Sequence, residues 1–490
     1  MRALSVATCL LTVSLAGAQD GAKPWELALR ATRYAAVFNP GEEATIQAIV
    51  RNRTSEQKAA TVSFEAKDVP LGPNAQPKVY TYGEVPVSVA KGTEAAVRLT
   101  LGSGKSLPQG EYLEVTVALA CDGAEVARCV KGFGFLERRQ PKAPSEESHF
   151  GLLAAMQWPF LQRLGARWDR PNWNWDERPM EWSRRYAVRT VALINEANQA
   201  FDRRMTMDEY TDFVRQSVSR YKRYVKYWQL GNEFDVFHRN GPQRFVEVQR
   251  AGYQAAKEAD PECVVVGGSI TDLHVRFDAW DECLSAGLAK WCDVYDFHFY
   301  ADLATTQKTI DVIHAGIASH HAPKPIWCTE TAGVPTTGGT ERNKAGYIYK
   351  RYAHLLANDI QVVFWHVLWW PHFEGEAGKI AMTALVDWDN FAKMSVFTYA
   401  TLTREVEGAR FTRRWDCGEG VYAIEFARGG RAKLFLWTEG EPKPITIARP
   451  AGGGFRLLIT GHREPLAGGT LTATSDPVIL DVPGPVKAVG

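Results

Sequence analysis

Residues 227–235 read YWQLGNEFD, an aromatic and apolar run that ends abruptly in a glycine, an amide and a carboxylate. The run predicts a buried β-strand over 225–230. Asn232 and Glu233 follow where that strand ends, and Glu233 there could simply cap the next helix. A polar end to a buried strand also suits the floor of a pocket, and the rest of the chain decides between these two readings.

Seven more strands of this kind occur between residues 149 and 407, and helical patterns separate several of them. Thr206 and Glu209 form a capping-box pattern, and Pro242 stands at the first position of a second helix. Eight strands at roughly one per 28 residues predict a (β/α)₈ barrel. A doubly wound sheet is the rival, but the Gly267–Gly268 pair lacks its phosphate-binding glycine pattern. The predicted strands are 150–155, 165–170, 188–194, 225–230, 263–269, 293–300, 325–330 and 361–369.

The flanking regions show strand patterns divided by Gly, Pro and Asn. We predict an N-terminal immunoglobulin-like β-sandwich over 19–137, a Pro-containing linker over 138–148, the barrel over 149–407 and a C-terminal β-sandwich over 408–490. The predicted fold class is therefore multidomain, α/β plus β, with a TIM (β/α)₈ barrel between two β-sandwiches.

Composition and the first residues restrict the class of partner. The net charge is +1 over 490 residues, so no global field attracts nucleic acid or an anionic membrane. Residues 1–18 combine Arg2, an apolar run and the small residues Ala16-Gly17-Ala18, which predicts a secretory signal peptide. We expect a secreted or periplasmic protein without a membrane anchor after cleavage. The oligomeric state does not follow from the sequence.

In a (β/α)₈ barrel the carboxyl ends of the strands form one rim, and active sites lie there. Two carboxylates, Glu233 and Glu330, end strands 4 and 7 of this ring. Paired carboxylates in a Trp-lined pocket suit the cleavage of glycosidic bonds, one donating a proton while the other attacks the anomeric carbon. Indole faces would stack on sugar rings. The other candidates at strand ends are Arg170, Trp173, Trp175, Asn232, His298, Tyr300, Trp365 and Trp369.

The GNE that ends strand 4, the TE that ends strand 7, a His on strand 6 and a Trp on strand 8 together resemble clan A of the glycoside hydrolases. The resemblance covers about 149–407. It implies that Glu233 is the general acid/base and Glu330 the nucleophile. It also implies that Asn232 binds the hydroxyl next to the anomeric carbon, and that Arg170 keeps Glu330 ionised. His298 or Tyr300 would orient Glu330 or the sugar, and no cofactor or metal is implied.

The resemblance further implies the activity of a retaining glycoside hydrolase acting on β-linked or equivalent α-L-arabino bonds in poly- or oligosaccharides. A catalytically silent carbohydrate-binding barrel and a transglycosylase are the alternatives. Phe234 follows Glu233 where many clan members have Pro, so neither the exact family nor the sugar follows, and exo and endo action both stay open. Among the candidates, Arg170 could be a rim ion pair, and His298, Tyr300 and Trp365 could be core residues. The remaining tryptophans could pack against loops.

Overall fold

The computed structural model describes residues 23–71, 75–103, 105–139, 148–153, 157–171, 181, 183–237, 240–271, 277–333, 340–369, 383–448, 453–466 and 469–489. The predicted signal peptide over 1–18 lies outside these residues. Within the described ranges, no helix is both long enough and apolar enough to span a bilayer.

Two β-sheets that share one apolar core form the N-terminal region. The sheet orders are β1-β3-β6 and β2-β8-β7-β4-β5. The alternation in β4 buries Ala60, Val62 and Phe64. Strand β5 was not predicted, because Gly83 and Pro86 interrupt its pattern; its place at a sheet edge tolerates the proline. The strands are β1 Trp25–Ala31, β2 Val37–Phe38, β3 Glu43–Asn52, β4 Lys58–Asp68, β5 Val79–Val89, β6 Glu94–Ser103, β7 Tyr112–Cys121 and β8 Ala124–Phe135.

Eight parallel strands close into a barrel in sequence order, β9 to β16, with β16 paired to β9. The predicted fold class, a (β/α)₈ barrel with flanking β-sheet regions, is confirmed. The predicted domain boundaries stay predictions. The barrel strands are β9 Phe150–Leu152, β10 Trp168–Asp169, β11 Arg189–Ile194, β12 Tyr227–Leu230, β13 Val264–Thr271, β14 Val294–Phe299, β15 Ile326–Thr331 and β16 Ile360–Trp365.

Helices fill most of the connections between barrel strands. The capping box forms as predicted: Thr206 Oγ1 accepts from the backbone N–H of Glu209, and a Glu209 carboxylate oxygen accepts from the backbone N–H of Thr206. The α-helices are Trp158–Leu164, Glu196–Phe201, Met207–Tyr221, Phe234–Phe237, Gly241–Ala259, Phe277–Ser285, Leu303–Ser319, Glu341–Leu356 and Met394–Val406, and the 3₁₀ turns are Tyr34–Ala36 and Leu288–Lys290.

The barrel interior is apolar at one end and polar at the other. Along β14 the residues that face the interior are Val294, Asp296 and His298 in turn, while their neighbours pack outward. Along β15, Trp327 is followed by Thr329 in the same way. Polar side chains therefore gather toward the carboxyl ends of the strands, above an apolar floor. That floor includes Trp168, Val191, Val266, Val294, Trp327, Val362 and Phe364.

Two further antiparallel sheets follow the barrel, with orders β17-β18-β19-β24-β21-β22 and β23-β20-β25. They enclose a separate apolar core that includes Leu434, Leu436 and Leu480. The strands are β17 Arg410–Trp415, β18 Val421–Arg428, β19 Arg431–Thr438, β20 Lys443–Ala448, β21 Phe455–Leu457, β22 Arg463–Pro465, β23 Thr470–Ala473, β24 Val478–Pro483 and β25 Ala488–Val489.

Trp168 tests the barrel floor. Its ring centroid lies 4.8 Å from that of Tyr227 and 5.1 Å from that of Trp327, and its indole N–H donates to Ser148 O at 2.9 Å. Trp168→Ala should lower the free energy of unfolding by about 3–5 kcal/mol, because a cavity and an unsatisfied carbonyl remain. Urea unfolding followed by circular dichroism measures this. Tyr82→Ala, whose side chain is exposed, should cost less than about 1 kcal/mol, and equal losses in both variants would contradict this packing.

Candidate active site

The backbone turns sharply between β12 and the helix that begins at Phe234. Gly231 has φ 85° and Glu233 has φ 45°, both in the left-handed region. Asn198 holds this turn, because its Nδ2 donates to Asn232 O at 2.6 Å and its Oδ1 accepts from Asn232 N at 2.8 Å. A Cβ on residue 231 would lie 2.8 Å from Asn198 Oδ1, so glycine is required. The turn directs the Glu233 side chain toward His298.

A β-bulge presents Glu330 to the interior. Two residues of β14 span the same length as three residues of β15, since Asp296 pairs with Trp327 and His298 pairs with Glu330. A bulge changes which residues share a face. Thr329 and Glu330 are adjacent in sequence, yet both contact interior groups.

His298 lies between the two carboxylates. Its Nδ1 is 2.7 Å from Glu233 Oε1 and 3.8 Å from Glu330 Oε2, and its Nε2 is 3.0 Å from Thr329 Oγ1. One oxygen of Glu233, one oxygen of Glu330 and a ring nitrogen of His298 all lie within 4.8 Å of one another. The two carboxylates therefore meet across one small space, although they are far apart in the chain.

Glu330 is held by a cation and a phenol. Arg170 Nη1 donates to Glu330 Oε1 at 2.5 Å, and the Tyr300 hydroxyl donates to Glu330 Oε2 at 2.6 Å. The same guanidinium donates to Asn232 Oδ1 at 2.5 Å and to Gln229 Oε1 at 2.6 Å. Arg170 thus ties the end of β12 to β15 and fixes the orientation of the Glu330 carboxylate.

A buried polar group supports these residues from below. Asp296 Oδ2 accepts from the hydroxyls of Ser269 and Thr329 at 2.6 and 2.8 Å and from Gln229 Nε2 at 3.0 Å. Asp296 Oδ1 accepts from Thr329 N at 3.0 Å. Because Thr329 donates its hydroxyl proton to Asp296, its oxygen is free to accept from His298 Nε2. This chain of donors leaves His298 Nδ1–H to donate to Glu233.

The charges of the site follow from these contacts. Burial opposes a charge on His298, but Glu330 and Glu233 outweigh it and raise the pKa of the imidazole to about 9. Burial also opposes ionisation of Glu330, yet His298 and Arg170 hold the pKa of that carboxyl well below its usual range. Burial raises the pKa of Asp235 to about 6. The site therefore contains one firmly ionised carboxylate, and an imidazolium bridges it to a second carboxyl group.

Glu233, His298 and Glu330 form the one group of three potential metal ligands found among the described residues. Their donor atoms already have partners within the protein: Glu330 binds Arg170 and Tyr300, and both ring nitrogens of His298 are engaged. A cation would have to compete with the guanidinium for Glu330. The contacts suit a pair of acid and base groups better than a metal centre.

Six of the candidate residues come together here: Arg170, Asn232, Glu233, His298, Tyr300 and Glu330. The tryptophans are placed differently. Trp365 packs into the large apolar cluster that extends outside the barrel and donates its indole N–H to Thr383 O at 3.1 Å. Trp369 is partly exposed beyond β16. Trp173 and Trp175 lie outside the described residues.

Sequence reasoning missed several residues of the site. Asn198 follows β11 by four positions, and a list of all polar residues just after barrel strands would have included it. Asp296 and Gln229 alternate with apolar neighbours on buried strands, and this alternation is the sequence signal that indicates both residues. His366, rather than Trp365, lies beside the site on the β16 side, with its ring centroid 6.3 Å from that of Tyr300.

No protein-family model matches the chain, and no curated protein matches it by sequence. Solved structures do match. A family 39 glycoside hydrolase from Bacteroides cellulosilyticus WH2 is 13% identical, with 93% of this chain and 100% of that chain covered, at a TM-score of 0.66. A GH30 endoxylanase from Clostridium papyrosolvens C71 is 11% identical, with 70% of this chain and 98% of that chain covered, at a TM-score of 0.48. Bacteroides uniformis β-glucuronidase 2 is 12% identical, with 93% of this chain and 57% of that chain covered, at a TM-score of 0.41.

Identities this low establish the fold alone, and the family 39 structure is the one of these three with a TM-score high enough to support the comparison. It aligns along its whole length with a chain that has a closed eight-stranded barrel and flanking β-sheets. The resemblance to clan A predicted from the sequence is thereby confirmed at the level of the fold, without assignment to one family.

The pKa of His298 tests the electrostatics of the site directly. Glu330→Gln removes a negative charge beside the imidazole, so the pKa of His298 should fall, as followed by NMR of ¹⁵N-histidine-labelled protein. Asp281→Asn is the matched control, because Asp281 contacts the more exposed His320 at 2.8 Å. His298 should not respond to that change. An unchanged His298 pKa in Glu330→Gln would contradict the proposed coupling.

The same coupling predicts a dependence of stability on pH. The pKa of His298 is raised in the folded state, so the imidazolium contributes fully to stability below its ordinary pKa near 6.5. That contribution is lost as the pH rises through about 9. The difference in unfolding free energy between the parent protein and His298→Gln should therefore shrink between pH 6.5 and 9. A constant difference across that range would contradict the assignment.

Proposed function

We propose that the protein is a retaining glycoside hydrolase that acts on β-linked or equivalent α-L-arabino bonds in poly- or oligosaccharides. The observation that carries the proposal is that Glu233 and Glu330 oxygens lie within 4.8 Å of each other at the carboxyl rim of the barrel. Retaining enzymes have carboxyl groups about 5–5.5 Å apart, whereas inverting enzymes need about 6.5–9.5 Å to admit a water molecule. The short separation favours double displacement.

Glu330 is proposed as the nucleophile. Its carboxylate stays ionised beside Arg170 and His298, and the Tyr300 hydroxyl orients one of its oxygens. In the first step a Glu330 oxygen forms a bond to the anomeric carbon while the bond to the leaving oxygen breaks. In the second step water attacks the same carbon and the carboxylate leaves, so two inversions give net retention.

Glu233 is proposed as the general acid and base. It gives its proton to the leaving oxygen in the first step and takes one from water in the second. His298 Nδ1, at 2.7 Å, can donate to the Glu233 carboxylate that exists between these steps. His298 is thus a positioning residue that holds the Glu233 carboxyl group in place. The buried Asp296–Thr329 pair orients the imidazole from its other side.

Asn232 is proposed to bind the hydroxyl next to the anomeric carbon. Its Oδ1 is held by Arg170, so the amide Nδ2 is the group that would donate to the sugar. Export to the cell exterior or periplasm remains part of the proposal, on the strength of the N-terminal sequence pattern. A polysaccharide substrate outside the cell is consistent with such export.

The roles of the two carboxylates are tested with p-nitrophenyl and unactivated β-glycosides. Glu233→Gln should slow hydrolysis of unactivated glycosides by about 10²–10⁴-fold and have less effect on cleavage of the p-nitrophenyl bond, whose leaving group needs no proton. Added azide should restore turnover of the p-nitrophenyl glycoside and yield a β-glycosyl azide. Glu330→Gln should abolish both reactions.

The matched control is Glu258→Gln, an exposed carboxylate paired with Arg215, which should leave turnover unchanged. Formation of an α-glycosyl azide by Glu233→Gln would mean that the roles of the two carboxylates are exchanged or that the mechanism is not double displacement. Substantial activity in Glu330→Gln would remove Glu330 as the nucleophile. If the parent protein binds oligosaccharides but cleaves none, it is a catalytically silent carbohydrate-binding protein. If it builds longer chains from added acceptor sugars, it is a transglycosylase.

A further inference from the structure

Two stacked tryptophans stand exposed beyond β16. Trp369 and Trp388 are 37% and 42% exposed, and they are the two exposed tryptophans in the part of the chain that the structure describes. Their ring centroids are 5.9 Å apart and their planes differ by 17°. Exposed apolar side chains that lie next to each other often mark a binding site, whereas single exposed apolar residues are common on any surface.

The pair lies at the carboxyl rim of the barrel. Trp369 follows the end of β16, and the neighbouring Leu368 donates its backbone N–H to Leu153 O at 2.9 Å, just beyond β9. His366, three residues before Trp369, packs edge-on against Tyr300, which binds Glu330. Trp369 is therefore separated from the surroundings of Glu330 by a short, buried segment, residues 366–368.

Trp388 is carried by a small hairpin over residues 385–392, here called the rim hairpin. Leu385 N donates to Val367 O at 3.0 Å and Val386 N donates to Leu368 O at 2.9 Å, so the hairpin extends the backbone pairing beyond β16. Val386 and Ala392 form an antiparallel bridge. Trp388 lies in the turn of this hairpin.

The N-terminal sandwich holds the rim hairpin in place. Phe391 is fully buried in the core of that sandwich. Lys131 Nζ, on β8, lies 2.6 Å from Asp387 Oδ2 and 2.6 Å from Asp389 Oδ2. A Cβ on residue 132 would lie 2.1 Å from Ala392 O, so Gly132 is needed for this approach.

Asn390 adds a further anchor, because its Oδ1 accepts from Ala35 N at 3.0 Å. An apolar side chain, two ion pairs, a side chain–backbone hydrogen bond and a close backbone approach thus fix one short turn. Within that turn Trp388 is the large apolar side chain left exposed, whereas Phe391 is buried. This arrangement fixes the position of Trp388 beside Trp369.

We propose that Trp369 and Trp388 form a subsite for a saccharide ring other than the ring that is cleaved, and that the N-terminal sandwich builds this subsite by holding the rim hairpin. The inference rests on the proposed function and extends it to substrates of several sugar units. The axial hydrogens of a β-linked pyranose give it apolar faces that pack on aromatic rings, and indoles supply large contact areas. Because the two tryptophans lie on the same rim of the barrel as Glu233 and Glu330, we infer that they bind another part of the glycan chain that is cleaved there.

The test compares long and short substrates in the full-length protein. The quantity measured is kcat/KM for cello-, xylo-, manno- and laminarihexaose divided by kcat/KM for the p-nitrophenyl β-glycoside of the same sugar. For the sugar that is cleaved, Trp388→Ala should lower this ratio by about 5–10-fold through KM, which corresponds to about 1–1.4 kcal/mol. Phe411→Ala removes a ring of equal exposure on β17 and should leave the ratio unchanged.

Lys131→Met tests the role of the sandwich. Loss of both ion pairs should lower the same ratio without removing any group at the rim. An unchanged ratio in Trp388→Ala, or an equal fall in Phe411→Ala, would overturn the subsite. An unchanged ratio in Lys131→Met, with the ratio lowered in Trp388→Ala, would overturn the part assigned to the N-terminal sandwich.

A binding measurement separates this inference from the proposed function. Titration of the hexasaccharides into Glu330→Gln protein, followed by calorimetry, requires no turnover. Weaker binding to the double variant Glu330→Gln, Trp388→Ala than to Glu330→Gln supports the subsite. This holds even if the parent protein hydrolyses nothing, and in that case only the proposed function fails. Equal binding with and without Trp388, or no binding of any hexasaccharide, overturns the subsite.

Discussion

The buried guanidinium of Arg170 is the interaction on which the site depends. Only 2% of the residue is exposed, and a buried charge is tolerated only when partners satisfy it. Arg170 meets this need with three acceptors: Glu330, Asn232 and Gln229. Because arginine presents its donors in a fixed planar fork, the three acceptors must occupy fixed relative positions. The group that satisfies the buried charge therefore also positions the nucleophile candidate and the turn that carries Glu233.

Departures from regular strand geometry give the site its shape. Glu233 and Ser269 adopt left-handed backbone conformations, which are costly for residues with side chains, and β15 is bulged opposite β14. Each irregularity turns a polar side chain toward the same interior space. The buried hydrogen bonds of Asp296 compensate for part of this cost, because they satisfy the backbone of Thr329 and the side chains around it. Strain and compensation thus both occur beside the two candidate catalytic carboxyl groups.

Local sequence patterns made much of this predictable. Most barrel strands are short, mainly apolar runs, and the two carboxylates lie close to the carboxyl ends of β12 and β15. Trp365 shows the limit: the alternation of β16 turns it outward, and His366 reaches the site instead. The sequence did not reveal this alternation, because residues 362–365 are all apolar, whichever way they face. The position of Trp388 could not be predicted from the sequence, because it depends on contacts with Lys131 and Gly132, which are more than 250 residues away in the chain.

The proposed mechanism requires that two carboxylates less than 5 Å apart act by double displacement. The most direct measurement is ¹H NMR of the anomeric signals during hydrolysis of an unbranched β-glycan, recorded within the first minutes. Double displacement predicts that the β-anomer of the new reducing end forms first and that the α-anomer appears later by mutarotation. Initial formation of the α-anomer would contradict it, because a single displacement by water needs more space between the carboxylates than this barrel provides.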